Sequence, residues 1–129
     1  MAALTADDFD GLAAARLGDA AVLFAAGRYE GARYVCGYAI ELKLKGRICK
    51  AHGWKTYPPV SELNTALRTH NLNVLLLLST QEDTIVRDYG AFWSVVSLWS
   101  PELRYNVAAT PAQDAHDMIE ATRLLLAVL

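Results

Sequence analysis

Apolar residues recur at intervals of three and four along most of this chain, and this periodicity constrains its fold more than any other feature. Between Thr5 and Ala26 they occupy such positions at Phe9, Leu12, Ala13, Leu17, Ala20, Ala21 and Phe24. This spacing places them on one face of an α-helix. Thr5 is suited to cap the helix N-terminus and Gly27 to end the helix.

A second long helix is predicted from Tyr29 to Ala51 by the same criterion. The prolines of the following segment, GWKTYPPV, predict a loop. Ser61 is suited to cap a short helix over ELNTALRT. The next segment, HNLNVLLLLS, is predicted to be a separate helical piece that the chain enters through His70 and Asn71.

Two helices are predicted in the last third of the chain. Thr80 with Asp83 is expected to open a helix that runs to about Trp99. SPELRYNVAATP is expected to be irregular, and Thr110 and Pro111 are then predicted as N-cap and first residue of the last helix. Because the sequence carries no strand signal, it predicts a single all-α domain over residues 1–129, an antiparallel bundle of five or six helices.

Composition excludes several classes of protein. The formal charge of −2 does not indicate a basic coat for nucleic acid, so any RNA contact is expected to be a local patch. The longest apolar run, VLLLLS, is too short to span a bilayer, and MAALTADDFD does not resemble a signal peptide. Cys36 and Cys49 would lie about 20 Å apart on one helix, so free thiols are expected. A soluble, cytoplasmic protein is predicted.

The histidines do not form a metal-ligand cluster in the sequence. His52, His70 and His116 are far apart, and no Cys/His motif accompanies them. His116 and Glu120 would share one helix face, as half of a carboxylate–histidine site does, but the complementary helix motif is absent. We therefore predict no metal and no cofactor.

The series Tyr38, Glu41 and Lys45 has spacings of three and four, which place all three side chains on one face of the second helix. One interpretation is an exposed Glu41–Lys45 ion pair. The other is a semi-buried Glu41, which would need a further cation. The best candidate outside the helix is Arg104, in WSPELRYNV.

These residues carry a family resemblance. GRYEGARYVCGYAIELKLKGRI resembles the second helix of HEPN-domain proteins, with matches at Tyr29, Ala32, Tyr34, Gly37, Tyr38, Ala39, Glu41, Leu44 and Lys45. THNLNVLLLLS resembles the family's His-x-Leu segment at His70 and Leu72. WSPELRYNV resembles the segment before the last helix at Trp99, Arg104 and Tyr105. The three pieces occur in the expected order and cover most of the chain.

The resemblance implies a helical bundle that commonly dimerises and acts in prokaryotic defence or toxin–antitoxin systems, often beside a nucleotidyltransferase partner. Catalytic members of the family are metal-independent ribonucleases with Arg-x4–6-His near the start of a late helix. This chain departs from that pattern, because Ala109, Thr110 and Pro111 stand where histidine would follow Arg104. An Arg-x4-His pair does occur at Arg47 and His52, but at the end of the second helix.

The sequence therefore favours a diverged or non-catalytic HEPN-like module that binds a partner protein, a nucleotide or RNA. Its candidate binding residues are Tyr38, Glu41, Lys45 and Arg104. One alternative is a metal-independent endoribonuclease, with Arg104 on phosphate, Tyr105 or His70 in proton transfer, and Glu41 orienting Arg104. Another alternative is a helical scaffold subunit.

The C-terminal segment MIEATRLLLAVL is apolar around much of its circumference. Its apolar residues are Met118, Ile119, Leu124, Leu125, Leu126, Val128 and Leu129, more than one core face requires. We expect the surplus to form a homodimer interface; the alternative is loose packing of the chain end.

Overall fold

The computed structural model describes residues 3–58 and 69–129, and within them every regular element is helical. These described residues form five α-helices and one 3-10 helix: α1 Ala6–Ala25, α2 Tyr29–His52, α3 Leu72–Leu78, α4 Glu82–Val96, the 3-10 helix Pro101–Tyr105 and α5 Ala112–Val128. The predicted all-α helical bundle is confirmed. The short helix predicted after Ser61 lies outside the described residues.

Helices α1 and α2 form an antiparallel hairpin whose ends follow the predicted signals. Thr5 caps α1, since its Oγ1 accepts from the Asp8 backbone N–H at 3.1 Å and the Asp8 carboxylate accepts from the Thr5 N–H at 2.9 Å. Gly27 has φ +75°, a conformation that glycine adopts readily, and it lets the chain reverse into α2. The hairpin is therefore specified by residues close to its ends.

Helix α2 lies at the centre of the bundle and packs against α1, α3 and α5. Its inward face carries the fully buried residues Ala32, Cys36, Ile40, Leu44 and Ile48, at intervals of four. Helices α3 and α5 complete this core, and α4 packs mainly on α5. The second long helix was predicted within one residue of its observed end.

The start of α4 differs from the prediction. Thr80 does not cap the helix; it has φ +65°, and α4 begins at Glu82 after Gln81. The chain has to turn sharply between α3 and α4, and this turn places Thr80 in the left-handed region that a capping residue does not occupy. Helix α4 also ends at Val96 rather than near Trp99, and Trp99 turns into the core.

The segment before α5 is more ordered than predicted. SPELRYNVAATP contains the 3-10 helix, and α5 begins at Ala112 with Pro111, not Thr110, at the N-cap. Pro111 fits there because its φ of −61° is the value that its ring fixes, while its ψ of 147° keeps it outside the helix.

The apolar residues of α5 are largely used inside the protomer. Met118, Ile119, Leu125 and Leu129 are buried, whereas Val128 is 37 % exposed. Helix α5 packs on α1, α2 and α4 at once, so a wide apolar arc is covered without a second copy. None of the helices in residues 3–58 and 69–129 combines the length and apolarity needed to cross a bilayer.

Candidate functional site

The Tyr38, Glu41 and Lys45 series occupies one face of α2, as its spacing predicts. Lys45 Nζ donates to Glu41 Oε2 at 3.2 Å, and Glu41 is only 4 % exposed. The pair is therefore a buried carboxylate with a cation beside it, not an exposed surface pair. A buried carboxylate needs more than one hydrogen bond to offset the loss of its hydration.

His70 supplies the second hydrogen bond to Glu41. Its Nδ1 lies 2.6 Å from Glu41 Oε1, just before the N-terminus of α3. Asn71 begins that helix by accepting from the backbone N–H groups of Asn73 and Val74. The prediction that Glu41 pairs with Arg104 is wrong, because the α3 N-terminus brings a histidine to this carboxylate.

Aromatic side chains continue the site along α2. The hydroxyls of Tyr34 and Tyr38 lie 3.1 Å apart, and the Tyr38 ring packs edge-on against Trp99 at 5.0 Å. The hydrogen bond with Tyr34, followed by burial, raises the pKa of Tyr38 to about 12. Tyr38 is therefore a protonated phenol that can donate, and not an anion. Trp99 is fixed in turn, because its Nε1 donates to the Tyr34 carbonyl at 2.9 Å.

Arg104 and Tyr105 lie on the 3-10 helix and are exposed to solvent. The Arg104 guanidinium lies 4.8 Å from the centre of the Tyr105 ring, and Tyr105 is 71 % exposed. Contacts with Tyr105 and then with Tyr34 raise the pKa of Arg104. Arg104 therefore belongs with Tyr34 in the first part of α2, and the Tyr105 side chain lies largely in solvent.

A groove of about 650 Å³ separates the N-terminal end of α2 from the 3-10 helix and the segment that follows it. Its lining includes Arg28, Tyr34 and Arg104, and Arg33 lines a small recess beside it. We call it the arginine groove. Of these residues, only Arg104 is predicted from the sequence as a candidate. Arg28 and Arg33 are not predicted, because their spacing in the sequence matches no binding motif.

The arginines of this groove lack carboxylate partners. Within residues 3–58 and 69–129, no carboxylate oxygen lies within 4.0 Å of a guanidinium nitrogen of Arg28, Arg33 or Arg104. Three other arginines are paired: Arg16 with Asp19, Arg87 with Asp88 and Arg123 with Glu120. Glu30 also lines the groove, so Arg28 and Arg104 leave its lining with a positive balance in a chain whose formal charge is −2.

A second depression, of about 430 Å³, lies on the other side of the Tyr34–Trp99 contact. His70, Asn71 and Asn73 line one wall, and Trp99 with the start of the 3-10 helix lines the other. We call it the histidine cleft. The 3-10 helix borders both depressions, with Glu102 on the cleft and Arg104 on the groove.

The Arg47 and His52 pair does not join either depression. His52 Nε2 lies 3.1 Å from the Leu78 carbonyl oxygen, and its ring stacks on Trp54 at 4.7 Å. His52 therefore ties the end of α2 to the end of α3, which is a structural role.

The other predicted chemistry candidates are engaged by neighbours. Glu120 pairs with Arg123, and the His116 ring lies 6.1 Å from Phe24. The described part of the chain contains no group of three His, Cys, Asp or Glu side chains that could hold a metal ion. Cys36 and Cys49 are buried free thiols, and burial raises the pKa of Cys36 to about 11, which disfavours the reactive thiolate.

Comparison of the chain with protein-family models, with curated proteins and with solved structures finds no match.

Proposed function

We propose that this chain is a HEPN-like helical module, diverged from the catalytic members, that binds RNA or a nucleotide through phosphate in the arginine groove. The observation that carries the proposal is that Arg28 and Arg104 line one groove, with Arg33 in the recess beside it, and that none of the three pairs with a carboxylate of the described residues. The all-helical bundle and the HEPN-like motifs support it. Among the candidate binding residues, Arg104 contacts phosphate, while Tyr38, Glu41 and Lys45 act behind the two depressions, where Glu41 holds His70 and Lys45 holds Glu41.

The groove has the side chains that phosphate recognition requires. Guanidinium groups bind phosphate oxygens in a bidentate manner, and neither Arg28 nor Arg104 is ion-paired with Glu30, a carboxylate that also lines the groove. Tyr29 and Tyr34 line the same groove and offer ring faces on which a base can stack. Because the positive charge is local, binding is expected to weaken with salt in proportion to the few phosphates contacted.

Fluorescence anisotropy with a short labelled single-stranded RNA tests this proposal. We expect Arg28→Ala and Arg104→Ala each to weaken binding by about tenfold and to reduce the salt slope by about one. Arg87→Ala is the matched control, since it removes the same charge from a paired arginine on α4. No binding by the wild-type protein, or an equal loss in the control, would contradict the proposal.

A second candidate function is metal-independent cleavage of RNA, and the Glu41–His70 hydrogen bond favours it. A carboxylate that holds Nδ1 leaves Nε2 of the same ring able to move a proton. In this reading Glu41 orients His70 rather than Arg104, and Tyr105 takes no part.

RNA cleavage in EDTA by highly purified protein tests the second function. His70→Ala should abolish cleavage, whereas His52→Ala, which changes a histidine bonded to a backbone carbonyl, should retain it provided the protein folds. Equal activity in the wild type and His70→Ala would indicate a contaminating nuclease and overturn this candidate.

The resemblance to HEPN-domain proteins also implies an oligomeric state and a cellular system for this module. The module would act in the cytoplasm within a defence or toxin–antitoxin system, as a homodimer and beside a nucleotidyltransferase partner. Val128 at the end of α5 and Leu98 before the 3-10 helix remain exposed in the protomer and are available to such contacts.

A further inference from the structure

The histidine cleft contains an imidazole nitrogen, His70 Nε2, that no described residue uses. His70 Nδ1 is bonded to Glu41, while the side chain as a whole is 52 % exposed and lines the cleft. Among the described residues, Nε2 has no hydrogen-bond partner. An exposed ring held by a buried anion presents its remaining nitrogen in a fixed direction.

The partner on Glu41 determines what that nitrogen can bind. A carboxylate only accepts hydrogen bonds, so Nδ1 carries a proton, and whenever the ring is neutral its Nε2 is an acceptor. Glu41 is held in turn by Lys45 at 3.2 Å. The cleft therefore presents a fixed acceptor for a ligand group that donates, such as a hydroxyl.

Two amide groups beside His70 are available as donors. The Asn71 side-chain oxygen is occupied in capping α3, and the Asn73 side-chain oxygen accepts from Trp93 Nε1 at 3.0 Å. Both amide nitrogens remain to donate into the cleft, which Asn71 and Asn73 line. One acceptor next to two donors suits a sugar, in which a hydroxyl stands beside further oxygens.

The cleft is also close to the arginine groove. The two depressions share the five-residue 3-10 helix Pro101–Tyr105, whose length is about 10 Å at about 2 Å per residue. Glu102 borders one depression and Arg104 the other. A single strand can therefore reach both, with a phosphate in the groove and the sugar of a neighbouring nucleotide in the cleft.

We propose that the histidine cleft receives a ribose, and that His70 Nε2 accepts a hydrogen bond from its 2′-hydroxyl. This interaction selects RNA over DNA, because only RNA carries that donor. His70 is the specificity-determining residue and Glu41 is a positioning residue that acts through it. The inference rests on the proposed binding of RNA in the arginine groove.

The test compares affinities for three single strands of one sequence: RNA, DNA and 2′-O-methyl RNA. The wild-type protein should bind RNA about tenfold more tightly than the other two, since neither offers a 2′-hydroxyl donor. His70→Ala should lower the RNA affinity to that of DNA and leave the DNA affinity unchanged. His116→Ala, an exposed histidine on α5, is the matched control and should keep the preference.

Glu41→Gln examines the positioning role separately from loss of fold. Glutamine can donate to Nδ1, which makes Nε2 carry the proton and lose its acceptor function. RNA preference should therefore fall in this variant while DNA affinity and the circular dichroism spectrum stay the same. An unchanged preference in both Glu41→Gln and His70→Ala would overturn the inference.

The affinities for the three strands distinguish failure of the ribose site from failure of the proposed phosphate binding. Equal wild-type affinity for RNA, DNA and 2′-O-methyl RNA, with loss in Arg104→Ala, would overturn the ribose site and leave phosphate binding intact. No wild-type affinity for any of the three strands would overturn both.

Discussion

Gly37 shapes the site because it has no side chain. Glycine inside a helix lowers the free energy of unfolding by about 1 kcal/mol relative to alanine. Packing contacts therefore have to offset the presence of Gly37 in the middle of α2. A Cβ atom at Gly37 would lie 2.0 Å from Cε2 of Trp99. The glycine therefore admits the Trp99 ring against α2, and that ring forms a wall of the histidine cleft.

Gly37→Ala should lower the free energy of unfolding by about 2 kcal/mol, because the added methyl group displaces a buried ring. Gly18→Ala is the control, as Gly18 lies within α1 and a Cβ there would meet nothing within 4 Å. That substitution should raise stability by up to about 1 kcal/mol. Urea unfolding measures both, and a Gly37→Ala protein as stable as the wild type would contradict the packing argument.

At the scale of elements, a polar contact joins the hairpin of α1 and α2. Asp10 accepts from Lys43 and from Lys50 at 3.0 Å each. Burial alone would raise the pKa of Asp10, but hydrogen bonds from the two lysines outweigh it and hold the pKa below its ordinary value of 3.8. A folded-state pKa below the unfolded value means that the carboxylate stabilises the fold above the unfolded pKa. This contribution is lost as the pH falls through the folded pKa.

Asp10→Asn should lower the free energy of unfolding by about 1 kcal/mol at pH 7, since both pairs are partly exposed. The difference from the wild type should shrink below pH 3.8. Asp19→Asn is the control, because the Arg16–Asp19 pair is more exposed and its loss should cost less than about 0.5 kcal/mol. Urea unfolding at pH 7 and pH 3 measures these free energies. A difference between Asp10→Asn and the wild type that does not change with pH would contradict the lowered pKa of Asp10.

At the scale of the whole molecule, a single protomer covers most of the apolar surface of α5. Helix α5 is surrounded by α1, α2 and α4, so Leu125 is fully buried while Val128 remains 37 % exposed. The stability of the protomer therefore depends on Leu125 more than on Val128.

Leu125→Ala should lower the free energy of unfolding by about 3 kcal/mol, because it leaves a cavity in the core. Val128→Ala, on the exposed side, should change it by no more than about 0.5 kcal/mol. Similar losses in the two variants would show that α5 packs differently from the described structure.

The homodimer in the proposed function has its own measurement. Sedimentation at micromolar concentration should give twice the protomer mass of 14.1 kDa. A single protomer at every concentration would remove the dimer from the proposal without affecting the arginine groove.

Local sequence signals determined the helices of this protein. The periodicity of apolar residues predicted α1, α2 and the all-α class, because residues three and four apart share a face wherever the helix lies. The Thr5 cap and the common face of Tyr38, Glu41 and Lys45 followed for the same reason. These features depend on contacts between residues only a few positions apart.

Only the tertiary structure decided the partner of Glu41. The sequence indicated that a semi-buried carboxylate on α2 would need a cation, and it offered Arg104 as the best candidate. His70 is 29 residues from Glu41 along the chain, and its proximity depends on where α3 packs. The turn at Thr80 and the proximity of Arg28 to Arg104 also depend on tertiary packing. Residues on separate elements meet only when the core brings those elements together.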